Sequence, residues 1–242
     1  NNVINAEKPT FVFLPGINRG LDARDAFMQL AKKSKLSFVS MHFSLHPESV
    51  MLIPKNEVPY FRFHRMSAKD LADEVLSVIA TYKIEKPIVV GLSYSSLVTS
   101  ELAERGVLPF IIETAPMMRP DESDPANGQI TDFWKNYYAS IPFTGPYLKE
   151  VFLQNIYTYY WSTKIDGVIS GLPEDRQSDS GLRSGLVGGY AALSIAADGF
   201  DFSKQKFSAS TKRLFIVGEN ELPARYELQQ KSIRAYEKQT GL

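Results

Sequence analysis

The sequence predicts an α/β fold: an open, mostly parallel sheet flanked by helices, with a helical insertion. Five apolar runs rich in Val, Ile and Phe have the continuous hydrophobicity of strands that are covered on both faces. Helical patterns separate the first four runs, and this alternation is typical of a parallel sheet with right-handed crossovers. The alternation breaks between Met117 and Phe207, where about ninety residues replace a short crossover.

Each element follows from its local pattern. The predicted strands are Thr10–Gly16, Leu36–Phe43, Lys86–Gly91, Leu108–Ala115 and Lys212–Gly218. The helical patterns of the predicted sheet domain are Asp22–Lys33, Ser67–Tyr82, Ser95–Glu104 and Tyr226–Gln239. Ser67 is a suitable N-cap for the second helix, and Gly106 is a suitable C-terminal stop for the third.

The insertion is rich in aromatic residues. Eleven of them lie between Phe133 and Trp161: Phe133, Trp134, Tyr137, Tyr138, Phe143, Tyr147, Phe152, Tyr157, Tyr159, Tyr160 and Trp161. A small helical unit needs large side chains for a core of its own, and this explanation is expected to hold for most of these rings. Some of them can also line an apolar substrate pocket. Further along, the polar, glycine-containing stretch Pro173–Gly185 predicts a loop.

Composition excludes several classes of protein. Lys plus Arg and Asp plus Glu both number 27, so nothing indicates binding to nucleic acid or anionic lipid. No apolar run is long enough to span a bilayer. Cysteine is absent, which rules out disulfides, thiolate catalysis and cysteine-bound metal. The polar start without Met predicts that a signal peptide or another preceding segment has been removed, and with the lack of Cys it favours an extracytoplasmic protein.

No cofactor or metal is expected. No pair of histidines has the spacing of ligands on a helix, and the acidic cluster Asp121, Glu122 and Asp124 has the pattern of a polar loop. The segment Gly16–Gly20, GINRG, follows the first strand but lacks the pattern of a phosphate-binding loop.

The stretch Pro87–Ser96, PIVVGLSYSS, is the part of the sequence that is most informative about function. Apolar strand formers lead into Gly91, then Ser93, then small residues that open a helix. This stretch resembles the G-x-S-x-G nucleophile elbow of α/β-hydrolases, in which strand and helix nearly touch and the serine lies at the apex of a sharp turn. Ser95 replaces the final glycine. The alternative interpretation is an ordinary strand-to-helix turn with an incidental serine.

The resemblance to α/β-hydrolases implies a division of the chain and an oxyanion hole. Residues 1–116 and 208–242 would form the core, and residues 117–207 an inserted helical cap. In the family, backbone N–H groups after the first strand and after the nucleophile bind the oxyanion. Those positions are Ile17, which follows FLPG, and Tyr94.

The resemblance also implies a catalytic acid. It often lies three residues after a glycine that follows the strand beyond the cap, and here that position is Glu221 in IVGENE. Glu113 is the substitute, because some family members place the acid at the end of the preceding strand. The simpler explanation of Glu221 is a solvated loop residue that precedes the last helix.

A triad also needs a histidine. The chain has three, His42, His46 and His64, and all precede Ser93, whereas the family order is serine, acid, histidine. The family histidine that His46 matches is generally structural, and His42 is a less favoured substitute base. The resemblance therefore implies that a segment beyond Leu242, or a separate chain, supplies the histidine.

These features predict a serine hydrolase that cleaves an ester or amide of an apolar or aromatic small molecule. Ser93 would attack, the amides of Ile17 and Tyr94 would hold the oxyanion, and Glu221 would orient the histidine. Dehalogenase and epoxide hydrolase chemistry is disfavoured, because those relatives have aspartate where this chain has Ser93. The alternative is a non-catalytic protein of the same fold that binds a small apolar ligand or a partner, or an incomplete chain that is inactive without its histidine.

Overall fold

The sheet is parallel throughout. The computed structural model describes residues 8–17, 21–44, 46–50, 52, 67–120, 125–172, 174–208, 210–218 and 223–241. Within these residues five strands pair in the order β2-β1-β3-β4-β5, and every pairing is parallel. The strands are β1 (Thr10–Leu14), β2 (Ser37–Ser40), β3 (Pro87–Leu92), β4 (Phe110–Thr114) and β5 (Lys212–Ile216).

Helices connect the strands and fill the long insertion. They are α1 (Leu21–Lys33), α2 (Pro47–Val50), α3 (Ala68–Thr81), α4 (Ser96–Arg105), α5 (Pro125–Ala139), α6 (Gly145–Ile169), α7 (Glu174–Gln177), α8 (Ser180–Ala197) and α9 (Pro223–Thr240). Two short 3₁₀ helices cover Ser93–Ser95 and Phe202–Lys204. No helix among the described residues is long and apolar enough to cross a membrane.

The predicted fold class is confirmed. All five predicted strands are present at their predicted places, and β3 extends one residue further, to Leu92. The four predicted helices correspond to α1, α3, α4 and α9. Gly106 ends α4 as expected, with a left-handed φ of 64° and an N–H that donates to the Ala103 carbonyl.

The chain divides into two compact units. Unit 1 comprises residues 1–42, 68–122 and 199–242, and unit 2 comprises residues 43–67 and 123–198. The whole sheet belongs to unit 1, together with α1, α3, α4 and α9. The interpretation of residues 117–207 as a cap stays a prediction.

α1 covers part of one face of the sheet in unit 1. Phe27 and Ala31 of this helix pack in one cluster with Phe11 and Phe13 of β1 and with Val90 of β3. The register places Gly91 between Leu14 of β1 and Glu113 of β4, so the carboxyl ends of these three neighbouring strands lie along one edge. In open parallel sheets that edge is where ligands bind.

Unit 2 is built around the contact between α6 and α8. The rings of Trp161 and Tyr190 stack at 4.3 Å between centroids, and the Trp161 indole N–H donates to Ser194 Oγ at 2.8 Å. Leu182, Leu186 and Leu193 of α8 are buried beside them. The buried small residues Gly185, Gly188, Gly189, Ala191 and Ala192 give α8 a smooth face for close helix packing.

The expectation that most of the clustered aromatic rings form a core is wrong. Of the eleven rings between Phe133 and Trp161, only Trp161 is buried, and three are half-buried. Seven are exposed: Phe133, Trp134, Tyr137, Phe143, Tyr147, Tyr159 and Tyr160. The reason is that aliphatic side chains of α6 and α8, with the Trp161–Tyr190 stack, already fill the interior.

The prediction of a loop at Pro173–Gly185 is also wrong for most of the residues that the structure describes there. Residues 174–177 form α7, and α8 begins at Ser180. Asp179 is the N-cap of α8, because its carboxylate accepts a hydrogen bond from the Leu182 N–H at 3.0 Å. Asp179 therefore starts a helix within the polar stretch, and the apolar residues of α8 follow later in the sequence.

Candidate active site

Ser93 lies at the apex of a sharp strand-to-helix turn. β3 ends at Leu92, the Ser93–Ser95 3₁₀ turn follows at once, and α4 begins at Ser96. Ser93 has a φ of 49°, in the left-handed region that residues with a side chain seldom adopt. The side chain is half-buried. Residues Gly91–Ser96 are called the Ser93 turn below.

The Ser93 turn is compact because its flanking residues are small. A Cβ atom added to Gly91 would lie 2.7 Å from Thr99 Cγ2 and 3.5 Å from Ser95 Cβ. A side chain at position 91 would therefore force the Thr99 side chain, or α4 with it, to move away from β3. Thr99, which approaches Gly91 most closely, is itself fully buried in α4.

Ser95 connects the Ser93 turn to the loop after β1. Its buried hydroxyl donates to the carbonyl of Pro15 at 2.5 Å. Pro15 directly precedes Gly16 and Ile17, so this bond fixes the start of the segment that carries the predicted oxyanion donor. The serine that replaces the family glycine thus has a structural partner of its own.

The loop after β4 packs against the Ser93 turn from the other side. The Met117 N–H is shared between the Ser93 carbonyl and Ser96 Oγ, both at 3.1 Å. Ala115 in this loop has a φ of 44°, and its N–H donates to the Ile216 carbonyl at 2.7 Å. The Ser93 backbone is therefore held by a neighbouring loop as well as by its own helix.

Two side chains of α9 hold this loop. Arg225 Nη2 donates to the Ala115 carbonyl at 3.1 Å and lies 3.4 Å from Ser93 Oγ. Gln229, one helical turn later, donates to the Pro116 carbonyl at 2.9 Å and is fully buried. Arg225 is not recognisable from the sequence, because an arginine in the first turns of a helix carries no signal of what it contacts.

Comparison with known proteins identifies the fold. No protein-family model and no curated protein sequence matches this chain. Solved structures do match: a carboxylesterase of the thaumarchaeon Nitrososphaera gargenis has a TM-score of 0.50 at 16% identity over 96% of this chain and 79% of its own. The hydrolase MGS-M2, from a Medee basin deep-sea metagenome library, is described as an α/β-hydrolase and has a TM-score of 0.50 at 13% identity over 96% and 80%.

A third structure has the same architecture. An AqdC variant that recognises the Pseudomonas quinolone signal and cleaves its ring has a TM-score of 0.53 at 14% identity over 96% of this chain and 80% of its own. The chain has the α/β-hydrolase fold. At these identities the likeness concerns the fold, and function is argued from the residues of the site.

The two residues predicted as oxyanion donors lie at the ends of neighbouring strands. Ile17 follows β1, and Tyr94 directly follows Ser93, at the carboxyl ends of the neighbouring strands β1 and β3. The Tyr94 side chain is buried, and burial raises the pKa of its phenol far above the ordinary value. The phenol therefore stays neutral, and only the Tyr94 backbone N–H is a candidate donor.

Glu113 is engaged in a buried ion pair. Its Oε1 accepts hydrogen bonds from Arg213 Nε at 2.8 Å, from Arg213 Nη2 and from Thr99 Oγ1 at 3.1 Å. The side chains of Glu113 and Arg213 are fully shielded from solvent. This pairing between β4 and β5, under α4, favours a structural role over that of the catalytic acid.

Glu221, the predicted acid, lies outside the described residues, and so does His64. The acidic cluster Asp121, Glu122 and Asp124 also lies outside them. His42 is half-buried in unit 1, and His46 is buried in unit 2. Among the residues that the structure describes, Arg225 is the one side chain within hydrogen-bond distance of Ser93 Oγ. Over the same residues, no group of three or more His, Asp or Glu side chains could hold a metal ion.

Proposed function

We propose that the protein is a serine hydrolase that cleaves an ester or amide by acyl transfer through Ser93. The observation that carries the proposal is the left-handed φ of 49° at Ser93, in a turn that allows no side chain at Gly91. Such strain is kept where the surrounding structure holds it, and it clusters at active sites. We interpret the Ser93 turn as a nucleophile elbow.

The chemistry follows from this geometry. Ser93 Oγ attacks the carbonyl carbon of the substrate, and the oxyanion that forms accepts hydrogen bonds from the N–H groups of Ile17 and Tyr94. The N-terminus of α4 directly follows this turn, and its dipole favours the developing negative charge. The alcohol or amine then leaves, and water hydrolyses the acyl-enzyme.

Acyl transfer also needs a base, because a serine hydroxyl is a weak nucleophile at neutral pH. The α/β-hydrolase resemblance implies a histidine that is oriented by an acid, and we propose Glu221 as that acid. Glu221→Gln is then expected to lower kcat by about 10⁴-fold with little change in KM, because the histidine loses the partner that sets its tautomer.

We propose an apolar or aromatic acyl group for the substrate. The support is the set of seven exposed aromatic rings in unit 2, whose side chains are not needed for the core of that unit. Exposed aromatic side chains in such number are characteristic of binding surfaces. The carboxylesterase among the structural neighbours is consistent with an ester as the bond that is cleaved.

Turnover of p-nitrophenyl esters by the full chain tests the proposal. Ser93→Ala should abolish turnover, since loss of the nucleophile in a serine hydrolase costs about 10⁶-fold in kcat. The control is Ser162→Ala, which removes an exposed hydroxyl on α6 and should leave turnover unchanged. Turnover that survives Ser93→Ala would contradict the assignment. A wild-type protein that binds apolar esters without cleaving them would favour the non-catalytic alternative.

A further inference from the structure

Arg225 is placed to act on Ser93 directly. Its Nη2 atom lies 3.4 Å from Ser93 Oγ and 3.1 Å from the Ala115 carbonyl oxygen. A guanidinium has no acceptor, so in this contact the serine oxygen accepts and its own proton is left for another group. The contact thus orients the Ser93 hydroxyl proton away from α9.

A permanent cation beside a hydroxyl changes its acidity. The guanidinium stays protonated at every accessible pH, and a positive charge at this distance stabilises an alkoxide relative to the neutral hydroxyl. The half-buried site strengthens the effect, because fewer water molecules screen the charge there than at the surface. A more acidic serine is a better nucleophile when a base takes its proton.

The contact with Ser93 is separable from the support of the loop after β4. Gln229 holds the Pro116 carbonyl, and the Met117 N–H holds the Ser93 carbonyl and Ser96 Oγ without help from Arg225. The loop is therefore fixed at neighbouring residues by other donors. Besides its own hydrogen bond to the Ala115 carbonyl, Arg225 places a positive charge beside Ser93 Oγ.

Few other titratable groups lie on the described parts of the elements around Ser93. β4 carries Glu113, whose charge is balanced by Arg213, and the Ser93 turn carries Tyr94, whose buried phenol stays neutral. On α9, Glu227 is exposed to solvent. Residues 15–17 after β1 and 115–117 after β4 carry no titratable side chain, and Arg119, further along the loop after β4, is exposed.

We infer that Arg225 is the electrostatic partner of Ser93, and that it makes the Ser93 hydroxyl more acidic and leaves its proton free for the base. The inference rests on the proposed function only for its role in turnover. The effect of the charge on a group at position 93 can be measured without any enzymatic activity.

The experiment uses the full chain with Ser93→Cys. The 242 residues contain no cysteine, so the introduced thiol is unique among them. Its pKa is read from the rate of alkylation by iodoacetamide as a function of pH. The expected pKa lies below the value of about 8.5 for a free thiol, because a nearby arginine stabilises the thiolate.

Two further variants are compared in the Ser93→Cys background. Arg225→Gln should raise the pKa of the thiol by about one unit or more. Arg225→Lys should restore part of the shift, because it keeps the charge. The matched control is Arg234→Gln, which neutralises an exposed arginine on the same helix and should leave the pKa unchanged. Equal thiol pKa values with and without Arg225 would overturn the inference.

A second measurement keeps the natural serine. Labelling of Arg225→Ala by a fluorophosphonate probe should be about tenfold slower or more, since one pKa unit corresponds to a tenfold change. Methylguanidinium in the buffer should restore part of the rate, which no purely structural role of Arg225 would allow. A rate that is unchanged, or one that falls without recovery, would count against the inference. Ser93→Ala in the same series shows separately whether the proposed function fails.

Discussion

Ser93 takes a backbone conformation that costs about 1–3 kcal/mol for a residue with a side chain. The structure holds it there through the Met117 N–H, which donates to the Ser93 carbonyl, and through α4, which starts two residues beyond Tyr94. Gly91 makes the close approach of strand and helix possible. The strain at Ser93 therefore depends on the size of a residue two positions earlier.

Gly91→Ala is the sharpest test of this dependence. The added Cβ would lie 2.7 Å from Thr99 Cγ2, closer than any ordinary contact, so the Thr99 side chain or α4 must shift. We expect the free energy of unfolding to fall by about 1–3 kcal/mol, as in other overpacked cores. Ester turnover should fall with it, because the Ser93 turn moves. Denaturant unfolding and steady-state kinetics measure the two effects.

Two controls make the Gly91 result specific. Thr99→Ser removes the Cγ2 methyl group but keeps the hydroxyl that bonds Glu113, so it should rescue part of the stability of Gly91→Ala. Gly218→Ala places a Cβ in open space and should leave stability nearly unchanged. A double variant as unstable as Gly91→Ala alone would show that the Thr99 contact is not the cause.

At the residue scale, the sequence alone indicates those candidate residues that belong to a short, continuous pattern. Ser93 and Gly91 are recognisable because a strand, a sharp turn and a helix follow one another in ten residues. The bond from Ser95 to Pro15 and the contact from Arg225 to Ser93 join residues far apart in the chain. No local pattern predicts them, since they depend on which strands become neighbours.

At the scale of elements, β4 and β5 are joined by a buried charge pair. Arg213 bonds Glu113, and its guanidinium lies 4.5–5.5 Å from the ring centroids of four aromatic side chains: Phe202, Phe207, Phe215 and Tyr236. The rings exclude water, so each charge relies on the other.

Glu113→Gln should therefore destabilise the protein strongly. The buried Arg213 charge loses its counter-ion, and breaking such a pair from one side costs about 3–5 kcal/mol. The matched control is Glu101→Gln, whose pair with Arg105 spans one helical turn near the surface and is worth about 0.5 kcal/mol. Chemical unfolding measures both. If Glu113→Gln instead lowers kcat by orders of magnitude at unchanged stability, Glu113 and not Glu221 is the acid.

The elements themselves are largely predictable, and the failures have physical causes. All five strands are predictable because each is a continuous apolar run, although only the central strands β1, β3 and β4 are mostly buried. Leu214 and Ile216 of the edge strand β5 are exposed, so the expectation that every strand is covered on both faces is wrong for this strand. The prediction of a loop at Pro173–Gly185 is wrong because it rests on the polarity of the stretch and overlooks Asp179 as an N-cap. The prediction of an aromatic core in unit 2 is wrong because small residues on α8 let aliphatic side chains of α6 pack closely against it.

At the scale of the whole molecule, a neutral protein presents many exposed rings. Lys plus Arg and Asp plus Glu are balanced at 27 each, and unit 2 carries seven exposed aromatic side chains between Phe133 and Tyr160. Long-range attraction of a charged substrate by the net charge is therefore not expected, and the proposed function assigns the affinity to apolar contact.

A series of p-nitrophenyl esters of increasing acyl length measures this preference. We expect kcat/KM to rise from acetate to longer or aromatic acyl groups, because each added methylene can contribute up to about 0.8 kcal/mol when it leaves water. The dependence on salt should be weak, because the molecule has no net charge. A flat profile, or a preference for acetate alone, would show that the rings do not select the acyl group.

The fold class of the whole chain was accessible from sequence because alternation of strands and helices permits few arrangements. The substrate was not, since one fold serves many reactions and the selecting residues need not follow any pattern. Glu221 as the acid and residues 117–207 as a cap stay predictions from the sequence.

The central claim is that Ser93 is the nucleophile, and the site of covalent labelling tests it most directly. The full chain is treated with a fluorophosphonate serine probe, digested, and mapped by mass spectrometry. We expect one adduct, on the peptide that contains Ser93, which disappears in Ser93→Ala and persists in Ser162→Ala. An adduct on another residue, or strong labelling that survives Ser93→Ala, would contradict it.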